Sequence, residues 1–361
     1  GFDGRGLAVG EVPQDVFFLG ARPGAVDYAA PLNNPLTIGN LERLDKQRAY
    51  FGSGEVDITE RVTIGGELRQ DNEDRQQYNA LAATEAARLA SLQRAEFDYG
   101  TWRVHADFAL NPSQRFYVSA AKGVISGYFN ATIDALSGLP IPAALQNYAP
   151  AQNKTYEFGW KAEWLDRRLT SELSVFLIDY TGIQIAAAPP AGSGLIGNLI
   201  QNLAGAESKG FELALNYAVS EKLRVGMTYS YSPTEFDEGT FDPGVARYCG
   251  NAAGLAAGFC PSLTFRGALQ PDVSGESLPR APSKLASAYA AFETQLNSDW
   301  SLYVRGDVSY TGEASVLSLP LAIIPSRTLA NARIGVRRGP LDLALWGRNI
   351  FDEEYVSAVI N

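Results

Sequence analysis

Apolar and polar residues alternate at every second position along much of this chain, the pattern of a β-strand with one oily and one wet face. In the stretch 99–110, Trp102, Val104, Ala106, Phe108 and Leu110 fall on one face, and Thr101, Arg103, His105 and Asp107 on the other. Val62, Ile64, Gly66 and Leu68 oppose Arg61, Thr63, Glu67 and Arg69. Leu223, Val225, Met227, Tyr229 and Tyr231 oppose Lys222, Arg224, Thr228 and Ser230. Near the end, Leu341, Leu343 and Leu345 oppose Asp342 and Arg348. The segments are joined in pairs by short polar turns at 57–61, 111–113, 165–167, 220–221, 297–299 and 339–340, and six turns predict twelve antiparallel strands.

The pairs themselves are linked by longer connections, at 71–97, 125–152, 181–206, 234–279 and 312–326. Short turns at one end and long loops at the other are the asymmetry of a transmembrane barrel, with periplasmic turns and extracellular loops. Most of the strands reach the length, about 9 to 11 tilted residues, that crosses a bilayer, whereas soluble strands stop at about five or six. The polar face carries Arg103, Asp107, Arg305, Asp307, Arg333 and Arg337. Such charges are costly in a dry core, and a hydrated or plugged lumen removes that cost. The predicted fold is therefore all-β: an antiparallel up-and-down transmembrane β-barrel, about twelve strands of a larger one. A stretch at 80–96 breaks the alternation, being Ala-rich with Leu81, Leu89 and Leu92 and lacking Gly and Pro, and predicts a helix within a surface loop.

Composition agrees with strands, with 35 Gly, 17 Tyr and 17 Phe against one Met and one His. No run of about 18 apolar residues is present, so a helical membrane span is not expected. A net charge of −10, with Lys and Arg spread among acids, argues against nucleic acid as a partner. Cys249 and Cys260 lie eleven positions apart, with no second Cys or His pair to complete a zinc site. The spacing favours a loop disulfide over two free thiols, and a disulfide implies the periplasm or cell surface. Residues 1–20 contain no basic segment followed by an apolar one, so an exported chain of this sequence is expected to be a mature fragment.

Five segments resemble TonB-dependent receptors. Within residues 47–74, AYFGSGEVDITERVTIGGELRQDNED carries a strand, turn and strand ending in Gly66-Glu67-Leu68-Arg69. FYVSAAKGVISGYFN (116–130) runs from a strand into Lys122-Gly123 and then Gly127-Tyr128-Phe129-Asn130. KTYEFGWKAEWLDRRLTSELSVFLIDYTGIQI (154–185) is similar to the family's Tyr-Glu-x-Gly-x-Lys hairpin with its Asp-x-Arg-Leu turn. NLAGAESKGFELAL (202–215) is similar to its Lys-Gly-x-Glu strand, with Leu203 and Ala204 departing from the usual pattern. LWGRNIFDEEY (345–355) resembles a penultimate-strand motif, with Ile350 in place of Leu.

The resemblance implies the outer membrane of a Gram-negative bacterium, contact with the lipid bilayer, and import of a bulky, scarce nutrient such as a ferric siderophore. It implies that the TonB energy-transducing complex acts through an N-terminal plug region not found here. Relatives have barrels of about twenty-two strands. By parity the strands of this chain correspond to about the tenth through the twenty-first, so residues 1–361 are expected to be part of a barrel domain whose closing strand follows. Such a piece alone is not expected to transport.

Catalytic chemistry finds little support. The only histidine, His105, lies mid-strand on the polar face beside Arg103 and Asp107 and reads as a hydrogen-bonded lumen residue, although an outer-membrane phospholipase would need a Ser and a His in contact. No Gly-x-Ser-x-Gly elbow, His-Glu-x-x-His, phosphate loop or dinucleotide fingerprint occurs, and no cofactor is implied. Substrate contacts are expected from the loops and the lumen beneath them. The longest loop, 234–279, holds Glu235, Asp237, Glu238, Asp242, Asp272 and Glu276 against Arg247 and Arg266, and repels an anion unless the arginines cluster. Three functional classes stay open: an energy-coupled receptor, a passive porin-like channel or structural barrel, and a soluble β-rich adhesin.

Overall fold

A computed structural model describes residues 41–356 and 359, apart from 80–83, 135, 188, 190, 191, 203, 204 and 266. Twelve strands form one meander: β1 (Leu41–Thr59), β2 (Val62–Asn79), β3 (Gln93–Asn111), β4 (Gln114–Ile125), β5 (Ala151–Trp164), β6 (Leu169–Thr181), β7 (Ala206–Ala218), β8 (Leu223–Tyr231), β9 (Lys284–Gln295), β10 (Ser301–Thr311), β11 (Arg327–Arg338) and β12 (Leu341–Gly347). Each pairs antiparallel with its neighbours in sequence, and among the described residues no ladder joins β1 to β12. Among the described residues no helix is long and apolar enough to cross a membrane.

The six tight turns fall where the alternation places them, and four are closed by a side-chain acceptor at the strand end. Thr59 Oγ1 accepts the N–H groups of Arg61 and Val62, Asn111 Oδ1 that of Ser113, Ser220 Oγ those of Lys222 and Leu223, and Asn297 Oδ1 those of Asp299 and Trp300. Short polar side chains thereby satisfy donors that the reversing backbone leaves without a ladder partner. The turn between β5 and β6 instead takes three consecutive left-handed residues, Leu165, Asp166 and Arg167, with φ of 54°, 54° and 66°.

The two faces follow the sequence pattern. Val104, Phe158 and Ile334 are 50%, 44% and 47% exposed, as side chains that face lipid should be once lipid is absent. Phe158, Phe116 and Trp160 stack on this face towards the turns with ring centroids 6.0 Å apart, and Trp164 meets Trp160 edge to face at 5.6 Å. The opposite face is the interior, because the extracellular loops fold over it. Phe97 and Gln93, at the top of β3, are buried there beneath residues 127–130.

On that interior face the sheet repeats one device. Each pair of strands joined by a long loop carries a glycine directly opposite a ring: Gly65 and His105, Gly159 and Tyr117, Gly210 and Phe176, Gly226 and Tyr289, and Gly335 and Tyr303. The ring lies over the glycine, so that a Cβ at any of the five would run into it. Glycine weakens a strand by exposing backbone, and the ring restores the lost cover. The hydroxyls then reach further. Tyr289 donates to Asn216 on β7 at 3.0 Å and Tyr303 to Asp342 on β12 at 2.7 Å, each spanning to the strand after next.

Two expectations need correction. The connection placed at 71–97 is mostly strand: β2 runs on to Asn79 and β3 starts at Gln93, so the loop between them is cut back to 80–92, and of the helix expected over 80–96 the described residues show only α1 (Glu85–Ala90), while 80–83 lie outside them. With about 9 to 11 residues enough to cross a bilayer, the 18 and 19 residues of β2 and β3 rise well above it. Above the lipid both faces meet water, and the outer face becomes charged, with Lys46, Arg48, Asp74, Glu96 and Asp98. Alternation vanishes there although the strand continues. Second, the motif 349–355 is not in a strand. β12 ends at Gly347, and Asn349, in a left-handed conformation, folds the following chain back by exchanging hydrogen bonds with the backbone of Glu353.

Candidate functional site

A sheet wetted on one face and oiled on the other has no dry interior, so burial occurs where loops pack together. The largest cluster joins Ala206, Phe236, Val245, Cys249, Leu255, Cys260, Val273 and Leu319, drawn from β7 and the loops at 234–279 and 312–326, with Ile183 and Ile185 packed against it. Cys249 and Cys260 are linked by a disulfide, with Cα atoms 5.5 Å apart, bracketing the short helix α2 (Asn251–Ala256). Asp242, also buried, caps the turn that follows through Gly244 N–H at 2.8 Å and accepts the Ser318 hydroxyl at 2.5 Å, tying the two loops together. Burial pushes its carboxyl above the usual range, an effect that the two hydrogen bonds only partly offset.

A second clasp joins the loops at 126–150 and 182–205. Asn130 donates to the carbonyls of Leu145 and Ile200 and accepts Ile200 N–H at 2.8 Å. The Asp134 carboxylate collects the N–H groups of Leu136, Ile196 and Gly197 and the Ser137 hydroxyl. Burial pushes this carboxyl up, but the four donors outweigh it and hold it well below the usual carboxylate range. Apolar contacts among Ile141, Leu195 and Leu199 fill the space beside it. The two clasps make the loops a folded cap over the interior wall.

Under the cap, at the mouth of β1 to β3, Asp71 accepts both Arg69 nitrogens at 2.7 Å and Gln47 at 2.8 Å, while Glu73 accepts Arg75 at 2.8 Å, Tyr99 at 2.6 Å and Ser126. Both carboxylates are buried yet hydrogen-bonded, which makes them struts rather than free ligands. Arg43 and Arg75 lie 5.1 and 4.9 Å from the Tyr128 ring, giving this side of the mouth a cationic, aromatic character.

Lower down, Tyr117, Glu157, Lys161, Glu172, Glu212 and Thr228 line a concavity of about 520 Å³ on the interior wall. Towards β12, Arg305 lies over Tyr289 at 4.4 Å, and Arg333 and Arg337 over Tyr303 at 5.3 and 4.3 Å. Arg337 also meets Asp342 at 3.2 Å. The wall is therefore acidic beside β5 to β7 and basic beside β10 to β12.

The residues singled out from sequence are not brought to one point. His105 sits over Gly65 with Nε2 3.4 Å from Glu55 and 3.9 Å from Asp107, and its buried Nδ1 has no partner. Ser119 is its cross-strand neighbour, but no hydrogen bond joins them. The arginines of the longest loop do not form a described cluster: Arg247 leans on its neighbour Tyr248, and Arg266 lies outside the described residues. No group of three or more His, Cys, Asp or Glu suited to a metal occurs among the described residues. Sequence reasoning missed Asn130, Asp134, Arg43 and Arg75. Asn130 alone carried a signal, as the last residue of the Gly127 to Asn130 motif.

Known proteins agree with this geometry. Over residues 6–350 the chain matches the family model for the TonB dependent receptor-like β-barrel. It is 23% identical over 365 residues to the probable TonB-dependent siderophore receptor PiuA of Acinetobacter baumannii, covering 96% of this chain and 44% of the relative. Among solved structures, the ferric yersiniabactin uptake receptor FyuA of Yersinia pestis superposes with a TM-score of 0.64 at 15% identity, over 87% of this chain and 42% of that one. The siderophore receptor PiuA of Acinetobacter baumannii gives 0.63 at 18%, over 87% and 40%. The chain thus spans less than half the length of these relatives. With its interior wall, lipid-facing exterior and matched barrel region, it belongs to the outer-membrane β-barrel family of TonB-dependent receptors.

Proposed function

We propose that this chain supplies about half of the barrel wall of an outer-membrane receptor that imports a ferric siderophore, with transport energised through the TonB complex. The observation that carries the reading is the cap. Two buried clasps and a disulfide hold four long loops over a polar, hydrated wall, the arrangement expected of a vestibule that must bind before it admits. The names of the matched relatives supply the cargo class. Among the described residues the outer edges of β1 and β12 have no ladder partner, which favours completion of the wall by further strands, since each unsatisfied backbone group in lipid costs several kcal/mol. Within this reading, residues 1–361 are one part of a single barrel domain.

The test is uptake of radiolabelled iron by cells lacking the complete gene, supplied in turn with hydroxamate, catecholate and mixed-ligand complexes. Loss of uptake of one ferric complex, restored by the gene and abolished by a protonophore, is the expected result. Unchanged uptake of every ferric complex, or uptake indifferent to the protonophore, removes the reading and leaves a passive channel in its place.

A further inference from the structure

Lys122 on β4 and Lys154 on β5 are direct cross-strand partners. Both point outward, in phase with Val118 on β4 and with Tyr156 and Phe158 on β5. Two ammonium groups set opposite one another on a pleated surface repel, and a sheet ordinarily places an acid in one of the two positions. Among the described residues neither lysine has an ion-pair partner. The outward Lys209, by contrast, is neutralised by Glu207 at 2.5 Å. Asp179 stands opposite Lys154 from β6 without pairing to it, and its own far neighbour is Glu207, which in turn faces Glu235. The acids of this row are gathered on one side and the two lysines are left together on the other.

Height gives the pair its meaning. Each lysine lies about ten residues above the turn at the foot of its strand, which is where a barrel strand leaves the hydrocarbon. Trp102, directly opposite Lys122 on β3, sits at the same level, as interfacial aromatics do. Beneath the lysines runs an open apolar column, with Val118 50%, Tyr156 47% and Phe158 44% exposed. A free anion satisfies the charges and ignores the column, whereas a phosphorylated lipid fits both. The long lysine stems can rise to the headgroup while lying along the apolar surface.

We propose that Lys122 and Lys154 together hold the phosphate of an anionic lipid in the outer leaflet, whose acyl chains lie over Val118, Tyr156 and Phe158. The site is independent of the imported cargo, since it faces away from the lumen.

The test uses the full-length protein purified from outer membranes in detergent, with bis-phosphorylated lipid A as the probe and native mass spectrometry or titration as the readout. K122Q/K154Q is expected to lower lipid affinity about thirtyfold, since each cation near an anionic surface contributes about fivefold. The single K154Q is expected to lower it about fivefold, K122R/K154R to retain it, and Glu207→Gln to leave it unchanged. Heat-modifiable migration in gels verifies folding of each variant, and the single and arginine variants carry the test if the double glutamine variant does not fold. Unchanged affinity in the glutamine variants overturns the proposal. So does equal binding of the same glycolipid stripped of its phosphates, or displacement of the lipid by an equal concentration of inorganic phosphate.

Discussion

Gly159→Ala tests the repeated pairing of glycine with a ring on the interior wall. Gly159 lies directly across from Tyr117, and a Cβ built on it overlaps the phenol ring. The ring must therefore lift off β5, and its hydroxyl gives up the Glu157 carboxylate two residues along that strand. Overpacking of this kind costs about 1–3 kcal/mol, and a hydrogen bond to a charged group contributes about 1.5–3 kcal/mol in general, less on a wall that meets water. A loss of about 2–4 kcal/mol is expected for the single variant. In a Tyr117→Ala background the obstacle is gone, and the same change should cost less than about 0.5 kcal/mol or gain slightly, because alanine is less flexible than glycine. The coupling between the two positions is thus expected to be about 2 kcal/mol or more, of compensating sign. Urea unfolding of the full-length protein in lipid vesicles, followed by tryptophan fluorescence, measures all four corners of the cycle. Effects that add to within about 0.5 kcal/mol would show that the ring does not need the empty space above Gly159.

Three further outcomes are expected. Cys249→Ser together with Cys260→Ser removes a short cross-link, worth about 3 kcal/mol to the segment it closes. Limited proteolysis should then cut within 234–279 while the unfolding midpoint of the sheet barely moves; a large shift in that midpoint contradicts a cap that folds on its own core. Asp134→Ala leaves the part-buried N–H groups of Ile196 and Gly197 without an acceptor, at about 1–3 kcal/mol at most. Its carboxyl titrates below the ordinary 3.8 in the folded state, so its stabilisation is complete above that value and lost as pH falls through the lowered one. Hydrogen-exchange protection factors at 195–200, corrected for the intrinsic pH dependence of the exchange rate, should stay flat down to about pH 4 and fall below it, and a fall already near pH 6 argues against this clasp. Asp242 is the opposite case. Its raised folded value means that the penalty for burying the charge is absent below 3.8 and complete above the folded value. Asp242→Asn, which keeps both hydrogen bonds possible, should protect the cap from protease at pH 7 and make no difference at about pH 3; protection at both pH values points to a cause other than ionisation.

The lipid-spanning parts of the strands were legible because each residue there has one of two neighbours, lipid or water, and the chain must alternate to serve both. Val104, Phe108, Arg103 and Asp107 declare their faces with no help from the rest of the molecule. Turns such as those at Asn111 and Asn297 were equally plain, since a short polar side chain closes them locally. Where β2 and β3 leave the bilayer this reasoning failed, because Lys46, Asp74 and Asp98 meet water outside just as Asp71 and Glu73 meet polar partners inside. The strand continues there on its hydrogen-bond ladder alone.

Sequence by itself, then, decided which face of each membrane-crossing strand meets lipid, how many strands the meander has and where the tight turns fall, since all three follow from contacts within a few residues. Only the tertiary structure decided that Asn130 holds Ile200, that Asp134 holds Gly197, that Tyr117 lies over Gly159 and that Lys122 confronts Lys154. Those pairings depend on register between distant segments, and a side chain's partner across a ladder is chosen by the fold rather than by its own neighbours in the chain.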